Sequence, residues 1–105
     1  MASPHRLLSA RRAVPVDRLP DYARAWERVR SAAAASGAHA WLFRAASPRD
    51  TSWYLEFLEW SAAGADPTET PELARALAEL GAAFPGSVER WDEVSPPYFP
   101  EEGTP

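Results

Sequence analysis

With 105 residues, 46% of them hydrophobic and 11% aromatic, the chain has room for one packed domain and is too apolar for intrinsic disorder. It has no Cys, which excludes disulfides, thiolate metal sites and Cys nucleophiles, and all 11 basic residues are Arg, which excludes Schiff-base chemistry and a phosphate-loop lysine. The net charge of −4 opposes nucleic-acid phosphates, and two His, His5 and His39, are too few for a zinc site without several carboxylates.

The first element covers residues 6–14, where Leu7, Leu8, Ala10, Ala13 and Val14 are interrupted by polar side chains and Pro15 closes the run. That pattern predicts a strand. A helix follows. Asp17 is placed to cap it, Pro20 suits its first turn, and Asp21 favours the positive end of its dipole. Leu19, Tyr22, Ala23, Trp26, Val29 and Ala33 form its apolar stripe, and Gly37 suits a left-handed C-terminal position. Residues 38–45 and 52–60 are rich in aromatics and flank Ser47-Pro48-Arg49-Asp50, which is turn chemistry, so they predict a β-hairpin. After a loop over 61–67, Thr70-Pro71-Glu72 opens a second helix with Leu73, Leu77, Leu80 and Phe84 as its buried stripe. Pro85-Gly86 ends that helix, and 88–94 reads as the last strand. Residues 1–94 thus make one domain, and 95–105, proline-rich and acidic, make an extended tail in which Tyr98 and Phe99 could pack on a partner subunit.

Strand, helix, hairpin, helix, strand is the ferredoxin-like βαββαβ order, an α+β fold. The expected sheet is four-stranded and antiparallel, with the first and third strands central and both helices on one face. A sheet covered on one side should alternate apolar and polar residues. The third strand does not: Trp53, Leu55 and Phe57 point one way, and Tyr54, Leu58 and Trp60 the other. The helices can cover only one of these faces, so a homodimer is expected, with a second copy of the sheet on the other.

If Pro48 and Arg49 are the central pair of the hairpin turn, Trp41 faces Glu56, Phe43 faces Tyr54 and His39 faces Leu58. One face then collects His39, Trp41, Phe43, Tyr54, Glu56, Leu58 and Trp60. On that pairing His39 and Glu56 are diagonal neighbours, within reach of a hydrogen bond or a shared ligand, and are the candidate catalytic acid–base pair. Trp41, Tyr54 and Trp60 around them are the candidate ligand-binding residues for a small apolar or aromatic molecule. The plainer reading is that these aromatics are core or interface, that His39 is solvated near the strand's start, and that Glu56 pairs with an Arg across the dimer. Tyr22 and Trp26, on the helix stripe, are read as core.

The element order and the run Leu55-Glu56-Phe57-Leu58-Glu59-Trp60 resemble the dimeric α/β-barrel proteins of the antibiotic-biosynthesis monooxygenase-like superfamily. The resemblance covers residues 7–94 and implies two ferredoxin-like sheets packed face to face, with a pocket in each subunit. It also implies that Trp60 lines the cavity. The cofactor-free monooxygenases and haem-degrading enzymes of that group typically use an Asn, with a Trp and often a His on the second helix. This chain has no Asn, and residues 71–84 contain no His.

Aromatic third-strand residues on such a sheet also occur in RNA-recognition motifs, but Glu56 and Glu59 stand where that motif wants basic residues and Gly, so no nucleic-acid partner is expected. No apolar stretch approaches the ~20 residues of a membrane span, and residues 1–12 lack the features of a secretory signal. A cytoplasmic protein without a membrane partner is expected. With no glycine-rich phosphate loop, catalytic triad or metal-ligand cluster in the sequence, no cofactor and no metal are expected either. Two functional classes remain: a small-molecule site in a pocket of each subunit, binding its ligand or transforming it, and a non-catalytic module for dimerisation or protein interaction.

Overall fold

Two long central strands organise the molecule. In the computed structural model, which describes residues 4–46 and 51–94, strand β1 (His5–Pro15) pairs antiparallel with β3 (Thr51–Ser61) along its whole length, from His5 opposite Ser61 to Pro15 opposite Thr51. Strand β2 (His39–Arg44) flanks β3 and strand β4 (Gly86–Asp92) flanks β1, both antiparallel, giving the order β2-β3-β1-β4. Helices α1 (Leu19–Ala35) and α2 (Pro71–Ala83) lie on one face. This is the expected ferredoxin-like arrangement, with the first and third strands at the centre.

Local chemistry accounts for most boundaries. Gly37 adopts φ +87, the left-handed turn that carries the chain out of α1 into β2. Pro71 occupies the first turn of α2 after Thr70, as the sequence predicts. The start of α1 differs from expectation. Asp17 lies in a short 3-10 turn, Val16–Arg18, and the helix begins behind Arg18 without a side-chain cap. Asp21 in the first turn instead bonds Arg24, and the dipole favours that charge whether or not a cap is made. Gly86 does not merely end α2; it is the first residue of β4, opposite Arg12. A Cβ there would run into the Arg11 carbonyl oxygen and stand 2.9 Å from Arg12 Cγ, so only glycine permits this close approach.

The core lies between sheet and helices. Tyr22, Ala25, Trp26, Val29 and Ala33 of α1 and Leu73, Ala76 and Leu80 of α2 pack with Phe84 on Val14, Ala38, Leu58 and Trp60. Ala23, expected in the α1 stripe, faces solvent, and Ala25 takes its place.

The hairpin register corrects the expected faces. His39 pairs with Glu59, Ala40 with Leu58, Trp41 with Phe57 and Leu42 with Glu56, one residue away from the pairing that a turn centred on Pro48 and Arg49 requires. The side-chain period is two, so this single step exchanges the faces. Tyr54, Glu56, Leu58 and Trp60 lie under the helices with Ala38, Ala40, Arg12 and Val14, whereas His39, Trp41, Phe43, Trp53, Leu55 and Phe57 share the open face. The turn residues themselves and the tail over 95–105 lie outside the described residues.

Candidate functional site

The inner face of the sheet carries two charged side chains among its apolar ones. Arg12 on β1 and Glu56 on β3 come from neighbouring central strands, Glu56 standing opposite Ala10 and Arg12 opposite Tyr54. Their side chains are only 4% and 5% exposed. Mid-strand charges at this depth are costly unless paired and hydrogen-bonded. Here both conditions hold: Arg12 Nε donates to Glu56 Oε2 at 2.9 Å, and Arg12 Nη1 donates to the Phe84 carbonyl at 2.7 Å, where α2 ends.

A third group comes from α1. The Tyr22 hydroxyl donates to the same Glu56 Oε2 at 2.5 Å. Its ring packs against Tyr54, with centroids 4.8 Å apart, and edge-on against Phe84 at 5.3 Å. Burial, then the negative charge of Glu56 and the hydrogen bond to it, push the Tyr22 hydroxyl far above its ordinary value. Tyr22 is therefore a permanent donor and cannot serve as a base near neutral pH.

Both donors converge on Oε2, so Glu56 Oε1 has no hydrogen-bond partner among the described residues, and neither has Arg12 Nη2. Every fully buried side-chain polar atom among the described residues is hydrogen-bonded. Arg12 and Glu56 both line a cavity of about 110 Å³ between the sheet and α2, together with Leu8, Ser9, Ala10, Leu58, Leu77, Gly81 and Val88. Gly81 leaves one wall open, since a Cβ there would meet nothing within 4 Å.

The five side chains singled out from sequence fall on two faces. Glu56, Tyr54 and Trp60 are on the inner face, with Trp60 buried in the core at 4% exposure. His39 and Trp41 are on the open face, edge to face with centroids 4.9 Å apart. His39 and Glu56 are thus separated by the sheet and do not form a pair; the cross-strand neighbour of His39 is Glu59. The groups that do meet Glu56 are Arg12 and Tyr22. Arg12 had a visible signal, because Leu8, Ala10, Arg12 and Val14 alternate on one face of β1. Tyr22 had only its place on the apolar stripe.

The open face holds a different assembly. Trp41 stacks on Phe43 at 6.3 Å, Phe43 meets Phe57 edge-on at 5.9 Å, and the Arg11 guanidinium lies 4.5 Å over Trp53. Trp91 Nε1 donates to Ser9 Oγ at 2.7 Å, and His5 pairs with Glu59 at 2.9 Å. No three His, Asp or Glu side chains among the described residues are grouped to hold a metal ion. No helix there is long and apolar enough to cross a membrane.

No protein-family model matches the chain, and no curated protein matches it in sequence. Solved structures do match its fold. SnoaB, a cofactor-independent oxygenase from Streptomyces nogalater, is 16% identical with a TM-score of 0.63, over 95% of this chain and 100% of that one. A protein from Bordetella bronchiseptica presented as a candidate antibiotic biosynthesis monooxygenase is 17% identical with a TM-score of 0.63, over 89% of this chain and all of its own. The fold that the resemblance implies is thus met. A de novo designed protein, Foldit4, also matches, at 10% identity and a TM-score of 0.58 over 87% of this chain and 98% of that one. A fold that a designed sequence also adopts does not by itself carry an activity.

Proposed function

We propose that this chain binds a small, largely apolar molecule in the cavity between the sheet and α2, one site in each subunit of a homodimer. The observation that carries the reading is the buried Arg12–Glu56 pair at the cavity wall. Apolar residues of similar volume at such positions would generally match or exceed the stability of an ion pair. A charged pair on the wall of a mostly apolar cavity is what a binding site needs: apolar walls for affinity and a few fixed polar groups for orientation. The chain shares its fold with proteins described as an oxygenase and a candidate monooxygenase, and Glu56 is the residue through which any chemistry on a ligand here would pass.

Size limits the ligand. An engineered apolar cavity of roughly 150 Å³ holds benzene, whereas sites for drug-sized ligands run to about 300–1,000 Å³. A space of about 110 Å³ fits one ring or a short chain. Titrating benzene into the protein, followed by methyl resonances of Ala10, Leu58, Leu77 and Val88, tests the reading. Shifts confined to these methyls, and lost in Gly81→Leu, are expected. Silence in the wild-type protein toward benzene and toward single-ring probes that carry polar groups would leave the second reading, an interaction module, which the exposed aromatics of the open face favour.

A further inference from the structure

The geometry points to the class of molecule the cavity takes: a small neutral compound that presents a hydrogen-bond donor beside an acceptor, as an amide or lactam edge does. This rests on the cavity being a binding site and adds what is recognised there. Arg12 uses Nε on Glu56 and Nη1 on the Phe84 carbonyl, which leaves Nη2 as a donor. Glu56 uses Oε2 for both Arg12 and Tyr22, which leaves Oε1 as an acceptor. Arg can only donate, and a carboxylate only accept, so this hydrogen-bonded pair brings donor groups and acceptor groups together on the cavity lining, with their roles fixed.

Other polar classes are poorly served. A carboxylate or phosphate would place acceptors against Oε1, and the Arg12 charge that would attract it is already balanced by Glu56. An ammonium would set three donors against Nη2. A purely apolar ligand would leave Nη2 and Oε1 desolvated without partners. A lactam satisfies both at once: its carbonyl accepts from Nη2 and its N–H donates to Oε1. Apart from Ser9, the remaining wall, from Leu8, Ala10, Leu58 and Leu77, is apolar and suits the body of a single ring.

Three probes of similar size separate the outcomes: 2-pyridone, which has the lactam edge, benzene, which has none, and benzoate, an anion. Each is titrated into the full chain and followed by the cavity methyls and the Arg12 Nη resonances. 2-Pyridone is expected to bind about tenfold or more tighter than benzene, since both of its hydrogen bonds are to charged groups, and benzoate weakest. In Glu56→Gln, Arg12 and Tyr22 hold the amide oxygen and the amide N–H₂ faces the cavity, so the preference of 2-pyridone over benzene should disappear while benzene itself still binds. If Glu56→Gln does not fold, the wild-type ranking and the Arg12 resonance shifts decide. Equal binding of 2-pyridone and benzene, or preference for benzoate, overturns the inference and leaves the cavity a binding site. Failure of all three probes overturns the binding site itself, and the inference with it.

Discussion

At the scale of single residues, the Arg12–Glu56–Tyr22 cluster is both a liability and an asset. Removing one member leaves the others buried without their partners. Glu56→Ala should cost about 3–5 kcal/mol in denaturant unfolding, because it strands the Arg12 guanidinium in a layer where its side chain is 4% exposed. Replacing all three, as Arg12→Met, Tyr22→Phe and Glu56→Leu together, strands no charge and leaves only the Phe84 carbonyl without its donor, so it should cost about 1–3 kcal/mol at most and lie above Glu56→Ala in stability. A triple variant as unstable as Glu56→Ala would mean that the cluster is held for stability alone. Tyr22→Phe isolates one hydrogen bond to a charged acceptor, worth about 1.5–3 kcal/mol at neutral pH. Its pH dependence has a definite sign. Folding raises the Tyr22 value above the 10.0 of a free tyrosine, through burial and then the Glu56 charge, so the stabilisation is complete below pH 10. Above pH 10 the unfolded chain gives up the Tyr22 proton and the folded chain keeps it, so the stabilisation falls as pH rises. The gap between wild type and Tyr22→Phe, measured by urea unfolding from pH 8 to 11, should be flat to about pH 10 and narrow beyond it.

At the scale of elements, what was legible followed from whether a pattern had one solution. The α1 stripe of Tyr22, Trp26, Val29 and Ala33 repeats at helical spacing with polar residues between, and it packs as that spacing requires. Strand β3 has no such asymmetry. Aromatic and aliphatic residues stand on both its faces, so its own pattern cannot say which face meets the helices, and the answer passes to the turn, where one residue inverts everything. Side-chain size at and just before β2 held a better clue than turn composition: Ala38 and Ala40 lie under the helices, and the bulky Trp41 and Phe43 lie outside. Glu56 as the charged inner residue was legible from its mid-strand position. Its partners were not, because they come from β1 and α1, and contacts between distant segments leave no mark on local periodicity. Gly86 was read as a helix stop, yet its role is to let β4 approach β1 beside Arg12. Gly86→Ala pushes a Cβ toward the Arg11 carbonyl and Arg12 Cγ, neither of which is the loose end of a side chain. It should cost about 1–3 kcal/mol. It should also weaken probe binding in the cavity, although Gly86 itself is not part of the cavity wall. An alanine variant with wild-type melting temperature and binding would show that β4 shifts without disturbing Arg12.

At the scale of the whole molecule, the helices leave one face of the sheet bare. Trp41, Phe43, Trp53, Leu55 and Trp91 are each 38–49% exposed there. A fully covered aromatic buries roughly 150–250 Å², so five half-exposed side chains leave on the order of 400 Å² of apolar surface on one side of the sheet. A standard interface takes about 800 Å² from each partner, a little over half of it apolar, which this face and its polar surround can supply. The surround carries both signs, Arg11 against Glu59 and Glu89, so a two-fold axis through the sheet can set each subunit's cation against the other's carboxylates. A second copy of this chain is therefore the occupant expected, rather than an acidic or basic partner, which would leave charges of one sign unmatched. Leu55 on β3 lies centrally on this face, and β3 is a central strand. At 38% exposure it is partly covered by its own chain and is not part of the buried core. Leu55→Glu places two like charges near the axis and should leave the melting temperature of the isolated domain nearly unchanged while weakening association by a hundredfold or more, at about 1.4 kcal/mol per factor of ten. Sedimentation velocity at tens of micromolar should find wild type at twice 11.6 kDa and Leu55→Glu at 11.6 kDa. The cavity lies on the other side of the sheet, between it and α2, so the monomeric variant should still bind 2-pyridone. Loss of binding together with the dimer would mean that the second subunit shapes the site across the sheet, and a wild-type protein that sediments as a monomer would mean that the aromatic face serves another partner.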